Sequence, residues 1–187
     1  VFGSSGRGLC EAFGVEDRVH VRVGTLSKAL GSVGGFVCGS NSLTQWLLNR
    51  ARPFIFSTAH PAAACEAAAE ALSIVEAEPQ RGRELQQRAA QVREQLQRQG
   101  WNLGPSTSQI IPIMVGDADK ALQHAGSLRD AGFYVPAIRP PSVAGGTSRL
   151  RISLAYGHTP AMIDGLVDAL KDCRNLDRRR ASTAPVG

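Results

Sequence analysis

Hydrophobic and polar positions along this chain follow two periods, and the change from one to the other marks out its elements. Val19 to Val23 and Gly34 to Cys38 are short apolar runs, which predicts two buried strands joined by the small, polar segment GTLSKALGS. Ser40 or Asn41 can cap a helix through Ala51, Pro53 stops it, and Phe54 to Ser57 reads as a brief strand. The stretch PAAACEAAAEALSIVEAEP predicts an alanine-rich helix that starts with Pro61 in its first turn and ends before Pro79. From Arg81 to Gly100, Leu85, Ala89, Val92 and Leu96 recur at helical steps with Gln, Arg and Glu opposite them, the pattern of a one-sided surface helix. Beyond it the pattern predicts strands over Ser108 to Gly116, Phe133 to Ile138 and Arg149 to Leu154. Helices are expected over Asp119 to Gly132 and Thr159 to Cys173.

The second half therefore reads as a compact α+β unit of strands under two or three helices. A composition shift between Glu76 and Gly82 sets the expected boundaries: one domain over 1–75, a smaller α+β domain over 76–174, and a basic, disordered tail over 175–187. At 187 residues, with 43% hydrophobic and 20% charged positions, the composition is that of a globular protein. The net charge of +5 changes little, because Arg174 to Gly187 carries four arginines against one aspartate. A solvated tail accounts for the basicity better than a nucleic-acid arm does. Cys10, Cys38, Cys65 and Cys173 show no paired spacing and the histidines do not cluster with them, which argues against a zinc site or a disulfide framework. No run approaches the roughly 18 apolar residues of a membrane span, and Val1 to Gly8 has no signal-peptide character, so a cytoplasmic location without membrane association is expected.

The segment with candidate chemistry is GTLSKALGSVGGFVCGS. Of 21 basic residues 18 are arginines and three are lysines: Lys28, Lys120 and Lys171. The last two fall on polar helix faces. Lys28 lies in an apolar, glycine-flanked connection, where a primary amine offers nucleophilic or Schiff-base chemistry that arginine lacks. Thr25 and Ser27 add hydroxyls just before it, either to hold a phosphate or to cap a turn, and Gly31, Gly34 and Gly35 let backbone approach a planar ligand. Neither this segment nor GSSGRG at Gly3 to Gly8 fits the P-loop or the dinucleotide fingerprint.

GTLSKALGSVGGFVCGS, RPFIFSTAHPAA, SQIIPIMVGD and AIRPPSVAGGTSRLRISLAYGHT, in this order, resemble the α-oxoamine synthases, pyridoxal 5′-phosphate (PLP) enzymes of the aspartate-aminotransferase fold type. The resemblance runs from Val1 to about Cys173. It implies an α/β protein that is the C-terminal part of a PLP-dependent transferase fold, with an incomplete large domain built on a mixed sheet and a smaller α+β C-terminal domain. By the same resemblance Lys28 matches the lysine that forms the Schiff base with PLP and then moves protons at the substrate α-carbon. Thr25 matches a phosphate-binding threonine, with Ser27 beside it, and Thr58 resembles a residue that reaches the phosphate of the neighbouring subunit in a homodimer. Arg151 matches the arginine that pairs with the amino-acid carboxylate, and Arg139 is placed near the acyl substrate. Simpler readings stand beside these: Thr58 satisfying a local backbone group, Arg139 as a surface residue before two prolines, and Arg151 in a structural salt bridge. Arg151 alternates with Leu150 and Ile152 and shares its face with Arg149.

AIRPP running into GTSRLRIS is closest to the biotin-pathway members of that family, which implies decarboxylative condensation of L-alanine with a pimeloyl thioester carried by coenzyme A or an acyl carrier protein. Glycine-using members, of the 2-amino-3-ketobutyrate ligase kind, are the alternative, and an inactive remnant or pseudo-subunit is another. In the family, an aspartate that pairs with the pyridine nitrogen sits in an Asp-Glu-Ala-His segment upstream of the region matched here. The expectation is that this chain alone condenses slowly and is aggregation-prone over its first 70 residues.

Overall fold

The structure, a computed structural model, describes residues 1–182, with side chains described through Asn175. It divides into two compact units, Val1–Arg83 and a second from Glu84 onward. The expected boundary at residue 75 falls near the end of a helix; the observed division falls inside the next one.

In the first unit a glycine-rich turn leads into the short helix α1 (Leu9–Ala12). Strands β1 (Val21–Thr25) and β2 (Gly35–Gly39) follow and pair antiparallel, Val21 opposite Gly39 and Thr25 opposite Gly35. Helix α2 (Asn41–Arg50) starts where the sequence places it, because Ser40 Oγ accepts a hydrogen bond from Leu43 N at 3.3 Å. The expected strand over Phe54 to Ser57 is absent: α3 (Arg52–Ile55) occupies the segment. Proline fixes φ at a helical value and lacks the N–H that a first turn leaves unused, so Pro53 begins a turn of helix where it was expected only to end one. Helix α4 (Ala62–Ala77) follows. Of all described side chains in this unit, Ala68 alone is a buried hydrophobic, while Val23, Phe54, Phe56 and Trp46 are each at least 60% exposed.

The second unit is built differently. Helix α5 (Gln80–Arg98) begins in the first unit and contributes Leu85, Ala89, Val92 and Leu96 to the core of the second, the stripe its periodicity predicts. Strand β3 (Ile110–Gly116) is followed by α6 (Ala118–Asp130), β4 (Ala137–Ile138), β5 (Ser148–Ser153) and α7 (Pro160–Ser182). The three strands form one antiparallel sheet in the order β3-β5-β4. Ile111 lies opposite Ile152 and Ile113 opposite Leu150, all four buried, and with Leu128 of α6 and Leu170 of α7 they make the centre of the core. The other face pairs Pro112 with Arg151 and Met114 with Arg149.

Two sequence expectations change here. The strand expected over Phe133 to Ile138 shrinks to two residues, because Pro136 has no N–H for a ladder; its carbonyl instead accepts from Arg151 N at 3.0 Å. The closing helix runs to Ser182, so the part of the expected disordered tail up to that residue is helical. Between Leu166 and Pro185 the sequence has no glycine or proline to interrupt it. The rest of the tail, residues 183–187, lies outside the described residues. Among the described residues no helix is long and apolar enough to cross a membrane.

Candidate active site

Lys28 sits in the loop 26–34 that joins β1 to β2. The loop is closed by its own backbone: Leu26 N donates to Gly34 O at 2.9 Å, Ser32 N to Leu26 O at 2.9 Å, and Gly31 N to Lys28 O at 3.1 Å. Ser32 Oγ donates to Ala64 O at 2.7 Å, which ties the loop to the first turn of α4. A residue without a Cβ is required at Gly34, where φ is +95° and an added β-carbon would stand 2.6 Å from His60 Nε2.

Thr25 and Ser27 are brought together. Their hydroxyls lie 2.7 Å apart, Thr25 Oγ1 accepts from Ser27 N at 3.1 Å, and it lies 3.2 Å from Gly34 O as donor. The turn-capping role open at the sequence level is thus present in the structure. Lys28 itself is exposed, and its ammonium has no hydrogen bond or ion pair among the described residues. An amine, two hydroxyls and a glycine backbone therefore share the end of β1 and the short loop after it. Thr58 is not drawn into that set: it is exposed in the connection between α3 and α4, and its hydroxyl makes no hydrogen bond to a local backbone group.

The two candidate arginines belong to the second unit. Arg151 is exposed on β5 opposite Pro112, with Arg149 half-buried on the same face opposite Met114 and Ile138. Arg139 follows β4 directly and is exposed. Arg151 forms no ion pair among the described residues, so the structural salt bridge considered for it is not formed there.

Sequence reasoning missed two features. His60 had no assigned role, yet its imidazole covers the Gly34 backbone; its only signal was its place between Thr58 and Pro61 in the FSTAHP segment. The GSSGRG turn, which fits no phosphate template, wraps a solvent-facing carboxylate of the chain's own. Glu11 accepts from Ser4 Oγ at 2.6 Å, Ser5 N at 2.7 Å, Ser5 Oγ at 2.8 Å and Arg7 N at 2.9 Å. Those donors, the Ser4 hydroxyl first, hold the Glu11 carboxyl down at about 2.

The chain belongs to the class I and II aminotransferase family, whose model matches residues 1–170. Within it, the likeness is to α-oxoamine synthases. The 8-amino-7-oxononanoate synthase of Anaeromyxobacter dehalogenans (strain 2CP-C) is 47% identical over 172 residues, 92% of this chain and 43% of that protein. A serine palmitoyltransferase variant from S. paucimobilis, solved with a bound PLP–myriocin aldimine, superposes with a TM-score of 0.87 at 30% identity, covering 94% of this chain and 44% of that one. The 8-amino-7-oxononanoate synthase of Francisella tularensis superposes with a TM-score of 0.82 at 26% identity, covering 97% and 52% respectively. The chain thus spans less than half the length of the curated relative it matches at 47% identity. Its α/β architecture is that of part of the PLP-dependent transferase fold.

Proposed function

We propose that the whole protein is a PLP-dependent acyltransferase that condenses L-alanine with a pimeloyl thioester to give 8-amino-7-oxononanoate, carbon dioxide and a free thiol. The observation that carries the reading is the Lys28 loop: an exposed, unpaired amine beside two hydroxyls 2.7 Å apart, in a chain 47% identical to an enzyme of that name. The donor set fits the cofactor. PLP has an aldehyde for a primary amine, a phosphate for hydroxyls and backbone N–H groups, and a flat ring for which a glycine-lined loop leaves room.

When bound, PLP supplies an electron-withdrawing ring that makes the α-proton of an amino acid removable. The work of the chain is then positional and protolytic. Lys28 Nζ would hold the cofactor covalently and, as a free amine, would take the proton from the alanine α-carbon and return one to the product. Thr25 Oγ1 and Ser27 Oγ would hold the phosphate. Arg151 would fix the amino-acid carboxylate through its two-pronged guanidinium, and Arg139 would lie toward the acyl substrate. In a homodimer Thr58 would reach the cofactor phosphate of the neighbouring subunit. The same reading places the protein in the cytoplasm.

Incubation with PLP, borohydride reduction and peptide mapping test the anchor; the expected mark is on Lys28, and a reduced product on Lys120 or Lys171 would overturn it. Release of thiol from pimeloyl thioester is expected with alanine in preference to glycine or serine. No thiol release from the whole protein with any of the three would reject the reading.

A further inference from the structure

We propose that Arg149 is a specificity-determining residue whose guanidinium accepts the remote carboxylate of an acyl group derived from a dicarboxylic acid. This rests on the reading of Arg151 as the partner of the amino-acid carboxylate, and extends it to the second substrate.

The strand period puts the two arginines on one face. Along β5, Ser148, Leu150 and Ile152 are buried, while Arg149, Arg151 and Ser153 point the other way. Neighbours on that face are apolar: Met114 and Ile138 flank Arg149, and Pro112 flanks Arg151. No carboxylate among the described residues pairs with either. Arg149 is the more buried of the two, and its Nε donates to Thr147 O at 3.1 Å, which orients the head and leaves both terminal nitrogens without a bond among the described residues. A half-buried guanidinium held in place without an anion is costly as a purely structural group. Its free edge has the shape that receives a carboxylate in two parallel hydrogen bonds.

The chemistry of the product named by the relatives calls for such a second site. 8-Amino-7-oxononanoate is a nine-carbon acid whose amine and ketone stand at the end remote from its carboxylate. That carboxylate arrives with the acyl group, because the amino acid's own is lost as carbon dioxide. Two carboxylates are therefore present before reaction, and two guanidinium stems stand about 7 Å apart along β5. Arg149 distinguishes an acyl chain that ends in a carboxylate from one that ends in a methyl group.

Calorimetric titration of the full chain with monomethyl heptanedioate, which ends in a carboxylate, and with methyl heptanoate, which ends in a methyl group, tests this. The monoester acid is expected to bind roughly tenfold more tightly or better, the size of one charge-assisted contact. R149Q should abolish the difference between the two esters, and R149K should keep part of it. Equal binding of the two esters to the unsubstituted chain would overturn the proposal, as would a preference that survives R149Q. Inorganic phosphate competing as strongly as the monoester acid would also overturn it, by showing a site for phosphate. Titration of the PLP-loaded protein with alanine, with and without R151Q, judges the reading of Arg151 separately.

Discussion

The imidazole of His60 lies against bare backbone at Gly34, where a β-carbon would stand 2.6 Å from Nε2. Gly34 also has a φ of +95°, and its carbonyl accepts from both Leu26 N and Thr25 Oγ1. Gly34→Ala should fail on two counts: a backbone penalty of about 1–3 kcal/mol and a displaced His60. The expected readout is a sharp fall in reductive trapping of PLP on Lys28. Adding His60→Ala should recover the steric part and leave the backbone part. Trapping by Gly34→Ala at the unsubstituted level would show that the loop geometry is not needed.

Thr25 carries more of the loop than Ser27. Its Oγ1 accepts from Ser27 N and lies in donor range of Gly34 O, while the Ser27 hydroxyl bonds only to Thr25. Thr25→Val keeps the shape and removes all three bonds of the hydroxyl, the one to Ser27 Oγ included, so PLP affinity should drop by about tenfold or more, given about 0.5–1.5 kcal/mol per bond. Ser27→Ala should cost less. Fluorescence titration with PLP measures both, and a larger loss in Ser27→Ala would contradict the ordering.

Most elements were legible because their residues repeat with a fixed period. The core stripe of α5 follows from Leu85, Ala89, Val92 and Leu96, and the open face of Arg151 follows from its alternation with Leu150 and Ile152. The errors lie where a local rule has two outcomes: Pro53 ends one helix and begins another, and Pro136 turns an apolar run into a two-residue strand. Lys28 was marked as an amine of interest by its surroundings, and only the ordered family segments gave it a cofactor. The seat of His60 on Gly34 and the enclosure of Glu11 were not legible. Both depend on backbone directions set by glycines at positive φ, which leave no trace in hydrophobic patterning.

Glu11 makes a pH prediction with a definite sign. Its carboxyl is lowered from 4.5 to about 2 by the Ser4 hydroxyl and the other donors of the Gly3–Gly8 turn. A group depressed on folding stabilises the turn above its unfolded value and loses that stabilisation as pH falls through the folded one. The turn should therefore hold at pH 5 and open progressively between about 4.5 and about 2. A carbon-detected NMR titration of the Glu11 side chain, with the amide signals of Ser5 and Arg7 followed alongside, reads both changes. A Glu11 midpoint near 4.5 would mean that the enclosure does not persist in solution.

The two units should differ in how they respond to loss of apolar bulk. Ile113 and Leu170 are fully buried in the second unit, whereas Phe56 in the first is 75% exposed. Removing a buried branched side chain forfeits its transfer energy and leaves a cavity, so Ile113→Ala or Leu170→Ala should cost about 2–5 kcal/mol. Phe56→Ala removes a larger side chain from a place where it is already hydrated, and should change stability by no more than about 0.5 kcal/mol. Native-state hydrogen exchange offers the parallel measurement. Amides of β3 and β5, over a packed face, should exchange far more slowly than those of β1 and β2, whose apolar side chains Val21, Val23, Phe36 and Val37 are exposed. Equal protection in the two sheets would mean that the apolar surface of the first unit, Val23 and Phe56 included, is covered in solution, and Phe56→Ala should then cost as much as a core substitution.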